Sequence, residues 1–313
     1  SEDVDFQKYS AQAIRKIKKF LKPQEANELF TILIKDLSEA VDYDEYIDDY
    51  LLTISKLLIV SDESNLEYFV GKTAEFVHSV LDNSWDLLDG TPLVQKPCFT
   101  QVLPPLSHLF SAIFHYKVDI NNDICQYLIQ LMQSDSEIDL FEIVGTLSDC
   151  LEFKNVSDEM CEVILNSVIQ VMENASEPSL LQNLVYLMNV LVQDERASNL
   201  LQNIIELTPT FEKWRQISEN TKFGYQEVLA NIASLYIQIA IRYNEFPDKL
   251  IIFSIQQFPP IDLNETSSMV EAIMKLVKTK QNSDIYLESA MAFVRFFLQE
   301  ESKVDKAKVR DEL

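Results

Sequence analysis

Glycine is scarce in this sequence of 313 residues, which contains only four. The two closest, Gly71 and Gly90, are 19 residues apart. Phosphate-binding loops and dinucleotide-binding fingerprints need several glycines within a few residues, because only glycine lets the backbone approach the phosphates closely. The tight turn that presents the nucleophilic serine of many hydrolases needs glycine as well. These motifs are absent, and we predict a protein that is not an enzyme.

Cysteine and histidine are also rare, with four and three residues. No cysteines are spaced as CxxC and no histidines as HExxH, so we predict neither a metal site nor a cofactor. His108 and His115 lie two turns apart on a predicted helix, but two ligands at that spacing do not make a metal site. Four cysteines are too few for a disulfide scaffold, and we expect them to be buried as small apolar side chains in a reducing compartment.

Basic residues number 26 against 50 acidic ones, which gives a formal net charge of −24. A chain with this charge repels the phosphates of nucleic acids and of anionic lipids, so we predict no direct nucleic-acid partner. No apolar stretch approaches the roughly 20 residues that span a bilayer, and we predict no membrane insertion. The charge favours another protein as partner, one with a basic segment.

Apolar residues recur at every third or fourth position between groups of Pro, Ser, Asp and Asn that return about every twenty residues, a pattern typical of amphipathic helices. Strand signals are nearly absent, so we predict an all-α fold of about fifteen helices. Expected helices include one over residues 4–21, one that begins at Pro23, one over residues 46–60, and one that begins near Pro104 and Pro105. Four side chains are predicted to cap later helices: Ser136, Ser157, Ser176 and Asp194.

About fifteen helices give helix pairs of roughly 40 residues, the period of HEAT and armadillo repeats. A single helical hairpin cannot cover its own apolar stripe, whereas stacked hairpins bury it against their neighbours. We therefore predict a right-handed α-solenoid of about seven to eight hairpins that forms a single domain over residues 1–313. An irregular loop at residues 83–98 is expected to separate the first two hairpins from the rest. A compact helical bundle is the alternative.

The segments 178–192 (PSLLQNLVYLMNVLV) and 258–278 (FPPIDLNETSSMVEAIMKLVK) are similar to helix and inter-repeat segments of HEAT and armadillo proteins. The chain resembles an importin-β-like (karyopherin) or related adaptor segment, by repeat period and pattern over nearly its whole length. This resemblance implies a protein-binding scaffold in the cytoplasm or nucleus, in nuclear transport or as a subunit of a large complex. We assign no functional residue from this resemblance.

Residues 119–206 contain sixteen acidic residues and only two basic ones, a net charge of −14. The inner helices of consecutive solenoid repeats line one groove, where acidic side chains would attract a basic segment of a partner. The predicted partner-binding residues of this groove are Asp149, Glu152, Glu159, Glu162 and Glu173. The alternative is that these acids only solvate an outer surface.

A second acidic cluster, interleaved with tyrosines, lies at residues 42–50. It lacks the glycine and the glutamate that a calcium-binding EF-hand loop requires. Asp42, Tyr43, Tyr46 and Asp49 are predicted to bind Lys or Arg side chains of a partner through charge and cation–π contacts. A solvated helix start is the alternative.

The last four residues, 310–313 (RDEL), resemble the KDEL signal for retrieval to the endoplasmic reticulum. Three triplets that match the glycosylation acceptor pattern begin at Asn155, Asn174 and Asn264. Some lumenal nucleotide-exchange factors of heat-shock ATPases are armadillo-like solenoids of similar size with such tails. This resemblance implies an alternative function, a co-chaperone in the endoplasmic-reticulum lumen that promotes nucleotide release.

Overall fold

The computed structural model describes residues 2–17, 22–60, 63–132, 136–221, 224–258, 266–280 and 282–298. These residues form fifteen α-helices and two short 3-10 helices, with no strand among them. The all-α prediction is therefore confirmed. Within the same ranges, no helix combines the length and the apolar character needed to cross a membrane.

The chain divides into two compact units, residues 1–171 and 172–313. The boundary falls at the end of α8. The first eight helices are α1 (Glu2–Ile17), α2 (Pro23–Ser38), α3 (Glu45–Val60), α4 (Glu63–Leu81), α5 (Phe99–Phe114), α6 (Asn121–Leu131), α7 (Glu137–Glu152) and α8 (Asp158–Met172). The second unit contains α9 (Pro178–Gln193), α10 (Leu201–Glu206), α11 (Thr208–Asn220), α12 (Gln226–Arg242), α13 (Asp248–Gln256), α14 (Thr266–Lys280) and α15 (Ser283–Leu298). That the whole chain forms a single solenoid domain stays a prediction.

Helices of the first unit contact both their sequence neighbours and the helices two positions along. The odd-numbered helices α1, α3, α5 and α7 each contact the next odd one, and α2, α4 and α6 do the same. Between the two sets, consecutive helices from α2 to α7 also pack against each other. The stacked rings of Phe30 and Phe69, with centroids 4.1 Å apart, show how α2 and α4 share a core. An amphipathic helix in this arrangement buries its apolar stripe against several neighbours at once.

The helix α5 begins at Phe99, five residues before the position that the sequence predicts. Pro104 and Pro105 both lie inside it, although each removes a backbone donor and strains the preceding turn. The reason lies in burial, because Phe99, Val102 and Leu103 are almost fully removed from solvent. Burying each such side chain stabilises the fold by about 1.5–3 kcal/mol, which offsets the cost of the prolines.

Between α4 and α5 the chain has no α-helix, only the 3-10 helix Leu93–Gln95. Trp85 fixes this loop to the helices beneath it: its ring is 1% exposed, and its Nε1 donates to the carbonyl of Leu37 at 2.6 Å. The same ring lies edge-on to Phe76, with centroids 5.2 Å apart. Gly90 takes a φ of +73°, in the left-handed region that glycine adopts without strain. The loop is therefore packed onto α2 and α4.

Three of the four predicted caps are confirmed. In each, the side-chain oxygen accepts a hydrogen bond from a backbone amide in the first turn: Ser136 from Asp139, Ser157 from Met160, and Asp194 from Arg196. The prediction for Ser176 is wrong, because α9 begins at Pro178 with Glu177 before it and no side-chain cap. Proline at the first helical position has a pre-set φ and no amide to satisfy, so the helix start needs one acceptor fewer.

In the second unit, α12 lies at the centre of the contacts. It packs against α9, α11, α13 and α14, while α15 packs against α13 and α14. The hydroxyl of Tyr236 donates to Glu212 on α11 at 2.9 Å, and Arg215 donates to both oxygens of the same carboxylate. This network fixes α11 to α12.

Candidate functional site

A groove of about 420 Å³ crosses α3, α5 and α7 in the first unit. These three helices lie side by side, since α5 packs against both of the others. The side chains that line the groove are Leu52, Ser55, Lys56 and Ile59 of α3, His108, Ser111 and Ala112 of α5 with His115 just after it, and Asp149 of α7 with Phe153 just after that helix.

The middle of the groove is formed by a polar stripe on α5. His108, Ser111 and His115 follow one another at intervals of three and four residues, which places them on one face of the helix. Both histidines are exposed, and Ser111 is half-buried. The opposite side of α5 contains fully buried residues such as Leu109 and Phe110. Apolar packing of that side therefore turns the polar stripe toward the groove.

On α7, acidic residues are placed next to that stripe. Glu142 and Asp149 are seven residues apart, two turns along one face, and both are half-buried. Burial raises the pKa of Glu142, and the charge of Asp139 adds to the effect while His108 opposes it. Residues between them on other faces of α7, such as Leu147, are buried in the core. The packing of α7 thus places two carboxylates beside the histidines of α5.

The electrostatics of the groove centre on Asp149. Burial raises the pKa of Asp149, and the neighbouring charge of Glu152 raises it further. A hydrogen bond from the Ser111 hydroxyl and the nearby charges of His115 and His108 lower it, without reversing the direction. The carboxylate form is therefore incompletely compensated by the surrounding groups, and an added cation would stabilise it.

An aromatic wall lies beside this carboxylate. The rings of His115 and Phe153 are 3.9 Å apart at their centroids, with an angle of 39° between their planes. Phe153 directly follows α7 and lines the groove together with Asp149. A carboxylate next to an aromatic ring suits a cationic side chain, since the ring face attracts the positive charge.

The predicted acidic residues of the central repeats lie in three places. Asp149 lines the groove, and Glu152 is exposed on the same helix close to it. Glu159 and Glu162 are exposed on α8. Glu173 is exposed in the turn after α8 and belongs to the second unit. Of the five predicted acids, only Asp149 lines the groove, and only Glu152 lies close to it.

In the acidic and aromatic cluster, Asp49 is turned inward. It is 8% exposed, forms an ion pair with Arg15 of α1, and accepts a hydrogen bond from Gln12 at 3.1 Å. The charge of Asp49 is therefore used to hold α1 against α3. A partner would have to break this pair to reach it, so we leave Asp49 out of the proposal below.

The other members of that cluster lie at the start of α3. Asp42 is exposed, whereas Tyr43 is half-buried and donates its hydroxyl to Asp48 at 2.9 Å. Tyr46 is half-buried and lies edge-on to Tyr50, with ring centroids 5.2 Å apart. Burial raises the pKa of Tyr50 to about 12, with the charge of Asp36 adding to it. These tyrosines are thus tied to neighbouring carboxylates and rings of their own unit.

Sequence reasoning missed the contribution of α5 and α3 to the site. The spacing of His108, Ser111 and His115 was visible in the sequence and was considered only for metal binding. Phe153 lies four residues after Asp149, so its proximity was visible in the sequence but was not considered. Lys56 gave no such indication, because its position beside the same groove depends on how the helices pack. A rule that pairs polar stripes on helices two positions apart would have found the groove.

Only some of the residues that suggested the lumenal alternative lie within the part of the chain that the structure describes. The side-chain amide of Asn155 is half-buried and donates to the carbonyl of Phe114 at 2.8 Å. Asn174 is exposed in a turn. Asn264 and residues 310–313 lie outside the described residues.

Among the described side chains, no three His, Cys, Asp or Glu residues are placed to hold a metal ion. The sequence matches no known protein-family model, and no curated protein sequence matches it.

Proposed function

We propose that this chain is a non-enzymatic scaffold of the HEAT and armadillo type that binds a basic or extended segment of a partner protein. The observation that carries the proposal is the groove across α3, α5 and α7, with the partly desolvated carboxylate of Asp149 beside Phe153. Such a scaffold acts in protein transport or in the assembly of a larger complex, in the cytoplasm or nucleus.

The helix contacts of the first unit support the repeat type. In HEAT and armadillo arrays each helix packs against its partner in the same repeat and against the equivalent helix of the next repeat. The contacts along α1, α3, α5 and α7, and along α2, α4 and α6, follow this pattern. We therefore propose a right-handed solenoid, in which the odd-numbered helices of this unit supply the binding face.

The position of the acids suggests two different contributions to binding. A cation next to Asp149 would compensate a charge that burial disfavours, and Coulomb attraction is stronger in such a partly desolvated site. Glu159 and Glu162 are exposed, so their attraction is screened by salt over about 10 Å at 0.1 M. We therefore expect Asp149 to contribute mainly to affinity, and the acids of α8 mainly to the rate of encounter.

The aromatic wall indicates which basic residue fits best. The planar guanidinium of arginine stacks on a ring while its N–H groups donate to a carboxylate, whereas the lysine ammonium is a compact, strongly hydrated charge. Phe153 and Asp149 both line the groove, so one arginine side chain can contact both. Arginine is therefore the expected anchor of the partner segment.

The test is a fluorescence-anisotropy titration of the full chain with three labelled peptides. Each peptide alternates glycine with one charged residue, which is Arg, Lys or Glu. We expect the Arg peptide to bind most tightly and the Glu peptide not to bind. Asp149→Asn should weaken binding of the Arg peptide by about tenfold, the equivalent of about 1.4 kcal/mol.

The matched control is Glu227→Gln, which removes the same charge from an exposed position on α12 in the second unit. This variant should bind the Arg peptide as the unmodified chain does. Equal weakening by the two variants would mean that only net charge matters. In that case the groove would not be the binding site.

A further inference from the structure

Two cysteines meet in the core of the first unit. Cys125 of α6 and Cys150 of α7 are both fully buried, and their sulfur atoms are 2.9 Å apart, with either thiol able to donate to the other. The helices that carry them pack against each other. This contact joins residues 25 positions apart in the chain, and the spacing of the cysteines in the sequence gave no sign of it.

The arrangement is close to that of a disulfide. A disulfide bond is about 2.05 Å long, so the two sulfurs must approach by less than about 1 Å. The helices α6 and α7 already pack against each other, so this approach does not require them to be brought together. Cys161, by contrast, directs its thiol to the carbonyl of Ser157, the residue just before its own helix.

We propose that Cys125 and Cys150 are a redox-modifiable pair that forms an intramolecular disulfide by exchange with a small-molecule disulfide such as oxidised glutathione. One cysteine loses its proton to solvent and attacks the glutathione disulfide, which gives a mixed disulfide and releases one glutathione thiolate. The second cysteine, also deprotonated, attacks the mixed disulfide and releases the other glutathione. The protein pair is oxidised by two electrons, and the two glutathione thiolates take up two protons.

Burial determines how fast this exchange occurs. The thiolate is the reactive form, and both sulfurs are shielded from solvent, so the reagent reaches them only when the structure opens locally. The helix α6 has 11 residues and is the shortest described α-helix of the first unit. Opening of α6 is therefore the expected rate-limiting step, and low concentrations of urea should accelerate the exchange.

The product would fix α6 to the part of α7 that contributes to the groove, because Cys150 directly follows Asp149. Closing a loop of this length restricts the unfolded chain, and we expect a rise of about 5 °C in the midpoint of thermal unfolding. This inference does not depend on the proposed function, since it concerns the core beneath the groove.

The experiment incubates the full chain with oxidised glutathione, then denatures it, alkylates it with iodoacetamide and digests it with trypsin. Lys117 and Lys154 bound one tryptic fragment, residues 118–154, which contains both cysteines. We expect this fragment to be about 2 Da lighter than the dithiol form and to take up no iodoacetamide, as for a single disulfide. Cys98 and Cys161 lie on other fragments and should be alkylated.

Three variants complete the test. Cys98→Ala should still form the disulfide, whereas Cys125→Ala and Cys150→Ala should each abolish the loss of 2 Da. Circular dichroism under reducing conditions checks that each variant is folded. Full alkylation of fragment 118–154 in the unmodified chain, even in low urea, would overturn the proposal, as would a stable mixed disulfide with glutathione or a bond to another cysteine.

Discussion

At the scale of single residues, Asp149 combines a cost for folding with the binding role that we propose for it. Burial raises its pKa above that of the unfolded chain, so the folded state binds a proton more tightly than the unfolded state. The stabilising contribution of the protonated carboxyl is therefore fully present below the pKa that the group has in the unfolded chain. It is lost as the pH rises through the pKa that the group has in the folded state. At neutral pH the ionised group opposes folding.

The raised pKa of Asp149 predicts the effect of Asp149→Asn on stability. The variant should show a higher midpoint of urea unfolding than the unmodified chain at pH 7, and the difference should disappear near pH 3. The amide can still accept the hydrogen bond from Ser111. Glu152→Gln, at the exposed neighbour, serves as control and should shift the midpoint little. An unchanged or lower midpoint for Asp149→Asn at pH 7 would be incompatible with a desolvated carboxylate.

Two tyrosines, the buried Tyr127 and the half-buried Tyr116, give a second prediction. Within the described part of the chain, the hydroxyl of Tyr127 has no hydrogen-bond partner, whereas the hydroxyl of Tyr116 donates to the carbonyl of Leu58. Tyr127→Phe should therefore leave the free energy of unfolding unchanged or raise it by up to about 1 kcal/mol, while Tyr116→Phe should lower it by about 1 kcal/mol. Urea titrations of the two variants check this, and a large loss for Tyr127→Phe would reveal a partner for its hydroxyl.

At the scale of helices and loops, sequence patterns located most elements. The start of α2 at Pro23 and the span of α3 follow from local signals, a proline at a first turn and a regular apolar stripe. The start of α5 was wrong because local proline chemistry competes there with the burial of Phe99 and its neighbours. The groove could not be predicted in full, since Lys56 of α3 and Asp149 of α7 line one groove only through packing between helices.

The loop between α4 and α5 provides a prediction at this scale. Trp85→Phe keeps an aromatic ring but removes the donor to the Leu37 carbonyl and leaves unfilled space, so it should cost about 2 kcal/mol. Limited proteolysis should then cleave within residues 82–98 faster than in the unmodified chain. Asp86→Asn, at an exposed neighbour, is the control. Equal proteolysis of Trp85→Phe and the unmodified chain would show that Trp85 does not hold the loop.

At the scale of the whole molecule, the net charge of −24 acts over a longer range than any single contact. Exposed acids raise the local concentration of a basic partner, and salt screens this effect. Acids in a partly desolvated groove are screened less. The contributions of the exposed acids and of the groove acid to binding can therefore be distinguished by varying the ionic strength.

Reversal of Glu159 and Glu162 to Lys should weaken binding of the Arg peptide at low salt, mainly by slowing association. The effect should become small at about 0.5 M salt, where the screening length is only a few ångströms. The effect of Asp149→Asn should persist under the same conditions. Stopped-flow association rates at several salt concentrations measure both. An effect of the α8 reversal that is equally large at all salt concentrations would place those acids in direct contact with the partner.

The central claim is that a basic segment lies across α3, α5 and α7, and photo-crosslinking tests it most directly. An Arg peptide with one photoreactive residue is bound to the full chain, irradiated, and its attachment sites are mapped by mass spectrometry. We expect attachment within residues 52–59, 108–115 and 149–153, with loss of the product in Asp149→Asn. Attachment mainly on α8 or in residues 224–298 would contradict it.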